Sequence, residues 1–64
     1  MKVQLCWKTK GNSKIHVTKE MMNVKNARKL FAEIDNDEIT LAYLRRWEGY
    51  GYIRHKVLKD NQCQ

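Results

Sequence analysis

Between Leu44 and Lys56 the chain reads LRRWEGYGYIRHK, in which Arg45, Arg46, Arg54 and Lys56 bracket Tyr50 and Tyr52. Guanidinium and ammonium groups neutralise phosphates or carboxylates, and exposed rings stack on bases, so this mixture suits an anionic polymer as partner. Tyr50, set between Gly49 and Gly51, is the ring best placed at a turn to reach outward. The plainer reading is a tip tyrosine packed against its own loop. No Gly-rich phosphate loop and no RNP-type or Gly-x-x-Gly signature accompanies these residues, so no named RNA module is implied.

Four other residues could ligate or attack: Cys6, His16, His55 and Cys63. They lack the close Cys and His pairs that organise a zinc site, and no metal or other cofactor is expected. A Cys6–His16 pair across a hairpin would be the only nucleophile–base arrangement, without an orienting third group or a pocket. Asp35, Asp37 and Glu38 read as a solvated turn rather than a Ca²⁺ loop, which needs more ligands at set spacing and a Gly. Enzyme activity is not expected, and neither is a small-molecule substrate.

Size points the same way. A chain of 64 residues forms one domain, and such a domain buries only about 60% of the surface its unfolded chain exposes. That core leaves little room for a deep substrate cavity. Thirteen Lys and Arg against seven Asp and Glu give a net charge of +6. The field favours nucleic acid or an acidic protein and excludes a protein that imitates DNA with carboxylates. Solubility alone is the alternative explanation of the charge. No apolar run approaches a membrane span, and Gln4, Lys8 and Lys10 interrupt any signal-like start. A complete small reading frame acting in the cytoplasm, its two Cys as thiols, is the expectation.

The elements that must position these groups follow from periodicity. Val3, Leu5 and Trp7 alternate with polar residues, then Lys10-Gly11-Asn12-Ser13 marks a turn, and Ile15 and Val17 alternate again. This predicts a hairpin with Trp7 opposite Ile15 and Leu5 opposite Val17, leaving Cys6 and His16 to face each other. From Lys19 the spacing changes to three and four through Met21, Val24, Ala27, Phe31 and Ile34, an amphipathic helix. Thr18 is the expected N-cap, with Asn23 as the cap of a later start, and Asp35-Asn36-Asp37 ends the helix.

Residues 39–47 and 53–58 alternate as strands around Glu48-Gly49-Tyr50-Gly51. A loop of odd length, with one Gly in the left-handed region, would put Ile39, Leu41, Tyr43, Trp47, Ile53 and Val57 on the core face. Arg45 and His55 then point inward, a conflict unless a bulge or the sheet margin relieves it.

One resemblance bears on the same stretch. LRRWEGYGYI resembles the helix-end-plus-wing sequence of winged-helix regulators over about ten residues. It implies a recognition helix and a wing, hence a winged-helix-like fold as the alternative. Such domains need three helices, whereas the first eighteen residues here read as a hairpin.

The predicted fold is therefore α+β: a small ββαββ domain over residues 1–59 and a polar, flexible tail over 60–64. A four-stranded, mainly antiparallel sheet would carry one helix on one face, in a β-grasp-like order with the first and last strands central. The uncovered face would display Lys8, Lys14, Arg46, Arg54 and Lys56, with Tyr50 at the hairpin tip. These six residues are the expected contacts to nucleic acid. The alternative is an inhibitor or adaptor, of the sort found in phages and mobile elements, that meets an acidic protein through the same surface. An exposed edge strand would also allow a homodimer.

Overall fold

A computed structural model describes residues 1–61. In chain order it contains β1 (Lys2–Thr9), β2 (His16–Val17), β3 (Met22–Asn23), α1 (Val24–Ile34), β4 (Ile39–Trp47) and β5 (Tyr52–Asp60). The protein is a small α+β domain with one helix and an antiparallel sheet in the order β2-β1-β4-β5, β3 also pairing with β1. The winged-helix alternative needs three helices, whereas one forms among the described residues.

β1 is central, and its sequence KVQLCWKT is buried on both faces from Val3 to Cys6. One face holds Val3 and Leu5 against Ala27 and Leu44, with Trp7, Met22, Val24, Leu30, Phe31, Ile34 and Leu58 packed around them. Each fully buried aliphatic side chain here stabilises the fold by about 1.5–3 kcal/mol.

Residues 16–23 run back along β1 as an interrupted strand. Cys6 pairs with Val17 and Trp7 with His16 at one end, and Lys2 pairs with Asn23 and Val3 with Met22 at the other. Thr18 fills the gap: its N–H donates to Leu5 O (3.0 Å) and its Oγ1 accepts from Leu5 N–H (3.2 Å). Because Thr18 is used in this way, it does not cap the helix. Asn23 does, its Oδ1 accepting from Asn26 N–H at 2.8 Å. The first hairpin is also one residue out of the expected register. His16, not Ile15, lies opposite Trp7 and stacks on it at 5.4 Å, so Cys6 and His16 do not face each other.

The β-grasp order is replaced by another. β1 and β4 are the central strands, they are antiparallel, and the last strand lies at the edge. The connection explains this. α1 begins beside the start of β1 and rises about 16 Å over 11 residues at ~1.5 Å each. It thus delivers the chain to the far end of β1. Only Asp35 to Glu38 then separate it from β4, too short a link to reach an outer edge before turning back. Lys10 N–H donates to Glu38 O at 2.8 Å and Ile39 pairs with Thr9, so β4 descends directly alongside β1.

This pairing sets Leu5 opposite Leu44 and Trp7 opposite Ala42. Ala42 and Leu44 therefore face the helix side, and Leu41, Tyr43, Arg45 and Trp47 take the other. A one-residue change of register turns every side chain of a strand over, and that is the correction to the expected core face of β4. The β4–β5 loop is correspondingly even: Trp47 pairs with Tyr52 across four residues, with Gly49 at φ 88. The expected left-handed Gly is present, but the expected odd length is not.

β5 continues to Asp60, and Asn61 N–H donates to Thr40 O at 2.7 Å, so the sheet takes in the first residues of the predicted tail. The remainder of that tail, residues 62–64 with Cys63, lies outside the described residues. Among the described residues no helix is long and apolar enough to cross a membrane.

Candidate functional site

The face of the sheet opposite α1 carries its side chains in cross-strand rows. Trp47 stands beside Tyr52; Arg45 lies between Gln4 and Arg54; Tyr43 lies between Cys6 and Val57; Leu41 lies between Lys8 and Asp60. β5 reaches these pairings through two register shifts, one between Ala42 and Tyr43 and one between Leu44 and Arg45 on the β4 side. The second shift puts Arg54 on the open face while Lys56, two residues on, lies opposite Leu44 on the helix side.

Two arginines are thus in direct register, and each lies over a tyrosine of the other's strand. The Arg45 guanidinium carbon is 3.7 Å from the Tyr52 ring centroid, and that of Arg54 is 4.2 Å from the Tyr43 ring centroid. Such contacts contribute about 0.5–1 kcal/mol each where exposed. Trp47 meets Tyr52 edge to face at 5.0 Å and 66°. It is 54% exposed and Tyr52 46%, so these rings are open to a partner.

Gln4 locks the arrangement from beneath. It is only 8% exposed; its Nε2 donates to Thr18 O at 2.9 Å and its Oε1 accepts from Arg45 Nε at 3.0 Å. Arg45 is therefore held over Tyr52 by a buried amide anchored to the backbone. Beside Gln4, burial pushes the Cys6 thiol above its ordinary value. The charge of Arg45, a hydrogen bond with Tyr43 and the charge of Arg54 pull the other way and do not prevail. Cys6 is buried under this face.

Electrostatically the two open-face arginines are uncompensated. Among the described residues the ion pairs are Arg46 with Glu48 and Lys59 with Asp35, and neither touches this face's guanidiniums. Like charges directly opposite in a sheet oppose pairing. An anion between them would relieve that.

The six residues expected from sequence are dispersed differently. Arg54 and Lys8 are on the open face, and Tyr50 is at the hairpin tip, 87% exposed. Lys14 sits in the exposed turn before β2, where its N–H donates to Asn12 Oδ1. At that end of the sheet a groove of about 520 Å³ is lined by Lys8, Lys10, Ser13, Thr40 and Asn61 among others. Arg46 and Lys56 are on the helix side, because β4 has the opposite facing from that expected. Arg46 is moreover tied to Glu48, Nε to Oε1 at 2.6 Å, a contact that pairs the charges without the alignment of a hydrogen bond.

Sequence reasoning placed Tyr43 and Trp47 in the core, pointed Arg45 inward, and gave no role to the buried Gln4 beneath them. The signal was present as a contradiction: facing the aromatic residues inward also forced Arg45 and His55 into the core. Inverting β4 removes the conflict for Arg45. Among the described residues no group of His, Cys, Asp and Glu is arranged to hold a metal. Compared with known proteins, the chain matches no family model, no curated protein and no solved structure.

Proposed function

We propose that this protein is a small cytoplasmic, non-enzymatic module that binds nucleic acid through the open face of its sheet. One observation carries the reading: Arg45 and Arg54 oppose each other in register, each over an exposed or half-exposed tyrosine, with no carboxylate paired to either among the described residues. A fold that only needed a soluble face would place a carboxylate at one of the two positions, gaining about 0.2–1 kcal/mol from the cross-strand pair. A phosphate supplies the missing charge from outside. Lys8, at the far end of the same face, and Tyr50, at the tip, extend the contact, and Lys14 borders it. Arg46 and Lys56 are left out of this interface.

The test is fluorescence anisotropy of labelled DNA and RNA with the purified protein over a range of salt. Affinity falls log-linearly with salt, by about 0.7–0.9 log units of affinity per log unit of salt for each phosphate neutralised. Arg45→Ala with Arg54→Ala removes it. Affinity that ignores these two residues at physiological salt refutes the reading.

A second reading rests on β5 (nine residues), whose outer edge pairs with no other strand among the described residues. An inhibitor or adaptor could add this edge to a strand of an acidic partner protein. A partner retained by the wild type and lost on Lys56→Pro, with nucleic-acid affinity negligible, would favour it.

A further inference from the structure

The shape of the open face says which form of nucleic acid it takes. Resting on the reading above, we infer that the face recognises a single strand, whose bases stack on the Trp47 ring and on the outer planes of the Arg45 and Arg54 guanidiniums. A duplex offers a binding face its phosphates and the edges of its bases in the grooves; the flat faces of its bases are hidden within the stack. Cations that serve phosphates alone do best on mobile side chains that project.

Arg45 does the reverse. Its Nε–H is fixed by the buried Gln4, and its guanidinium carbon sits over the Tyr52 ring, 3.7 Å from the centroid. Arg54 repeats the arrangement on Tyr43 at 4.2 Å. Guanidinium planes and aromatic rings are the surfaces on which unpaired bases settle. Trp47 meets Tyr52 by its edge, not its face, and is 54% exposed, so the indole also has a flat side to offer. The three platforms lie on adjacent rows of one face. Two of them carry the positive charge that the intervening phosphates need.

The experiment compares oligothymidylate, oligouridylate and a mixed-sequence duplex of about eight nucleotides, within the range of site sizes of single-strand binders. Each is titrated against the wild type and against Arg45→Lys with Arg54→Lys, which keeps the charge and removes the planes. Anisotropy gives the affinities, and indole fluorescence, compared between wild type and Trp47→Phe, reports stacking; the two homopolymers separate DNA from RNA. The expected result is at least tenfold tighter binding of a single strand than of the duplex, with quenching that disappears in Trp47→Phe. The double lysine variant should lose at least tenfold on the single strand. Equal binding of duplex and single strand, with the lysine variant unaffected, overturns this inference and leaves the nucleic-acid reading standing. Absence of binding to all three at physiological salt overturns both.

Discussion

Arg45 and Arg54 stand opposite one another across β4 and β5, and each covers a tyrosine that belongs to the other's strand. The like charges oppose strand pairing, while the crossed stacks and the Gln4 anchor hold them in place. Local stability is thus set against what the surface can do, a conflict expected at functional sites.

That conflict is measurable. Arg54→Glu puts a carboxylate opposite Arg45, replacing a repulsion with an attraction of about 0.2–1 kcal/mol and giving up one guanidinium–ring contact of similar size. Urea denaturation should therefore find stability unchanged or slightly raised, whereas affinity for an oligonucleotide drops by more than tenfold. Stability and affinity falling together would mean that the arginines are structural.

The facing of β4 can be tested by truncation. Leu44 is fully buried against Leu5, whereas Trp47 is 54% exposed. Leu44→Ala should cost about 2–5 kcal/mol, much of the ~3–10 kcal/mol expected for a domain of this length at 0.05–0.15 kcal/mol per residue. Trp47→Ala should cost about 1 kcal/mol or less, the loss of one aromatic pair. The opposite ranking in chemical denaturation would restore the facing read from sequence.

Thr18 makes a sharp test of the interrupted strand. Thr18→Val keeps the shape and deletes the hydroxyl that accepts from Leu5 N–H. A buried amide left without a partner costs about 1–3 kcal/mol, so the melting temperature should fall. An unchanged melting temperature would show that another group takes the bond.

Cys6 gives a pH dependence with a definite sign. Burial raises its pKa in the fold, so between the unfolded and folded values the unfolded chain has released a proton that the fold retains. The contribution of Cys6 is fully present below the unfolded value and is lost as pH rises toward and through the folded one. The stability difference between wild type and Cys6→Ala should therefore shrink as pH rises above the ordinary thiol value of about 8.5, while alkylation of the thiol stays slow below it.

Much of the fold is legible in the sequence, and particular residues show where legibility stops. The alternation of Val3, Leu5 and Trp7 marks β1, and the spacing of Met21, Val24, Ala27, Phe31 and Ile34 marks α1, although Met21 lies before the helix, which begins at Val24. The start of the helix is less clear, because Thr18 and Asn23 are both good caps and only pairing with β1 decides between them. The facing of β4 is ambiguous because both of its faces are apolar: Ala42 and Leu44 are buried on the helix side, and Tyr43 and Trp47 look like core residues but lie on the open face. Strand order lies outside local sequence altogether. It follows from the length of the Asp35–Glu38 link and from where α1 ends.

Besides the open face of the sheet, α1 is a rival binding surface, since Lys25, Arg28 and Lys29 are exposed on it. Amide and indole chemical shifts of the ¹⁵N-labelled protein, followed during titration with a short single strand, distinguish the two directly. Binding through the open face shifts Gln4, Cys6, Tyr43, Arg45, Tyr52, Arg54 and the Trp47 indole and leaves the α1 amides in place. Changes confined to Lys25, Arg28, Lys29 and their neighbours would contradict it.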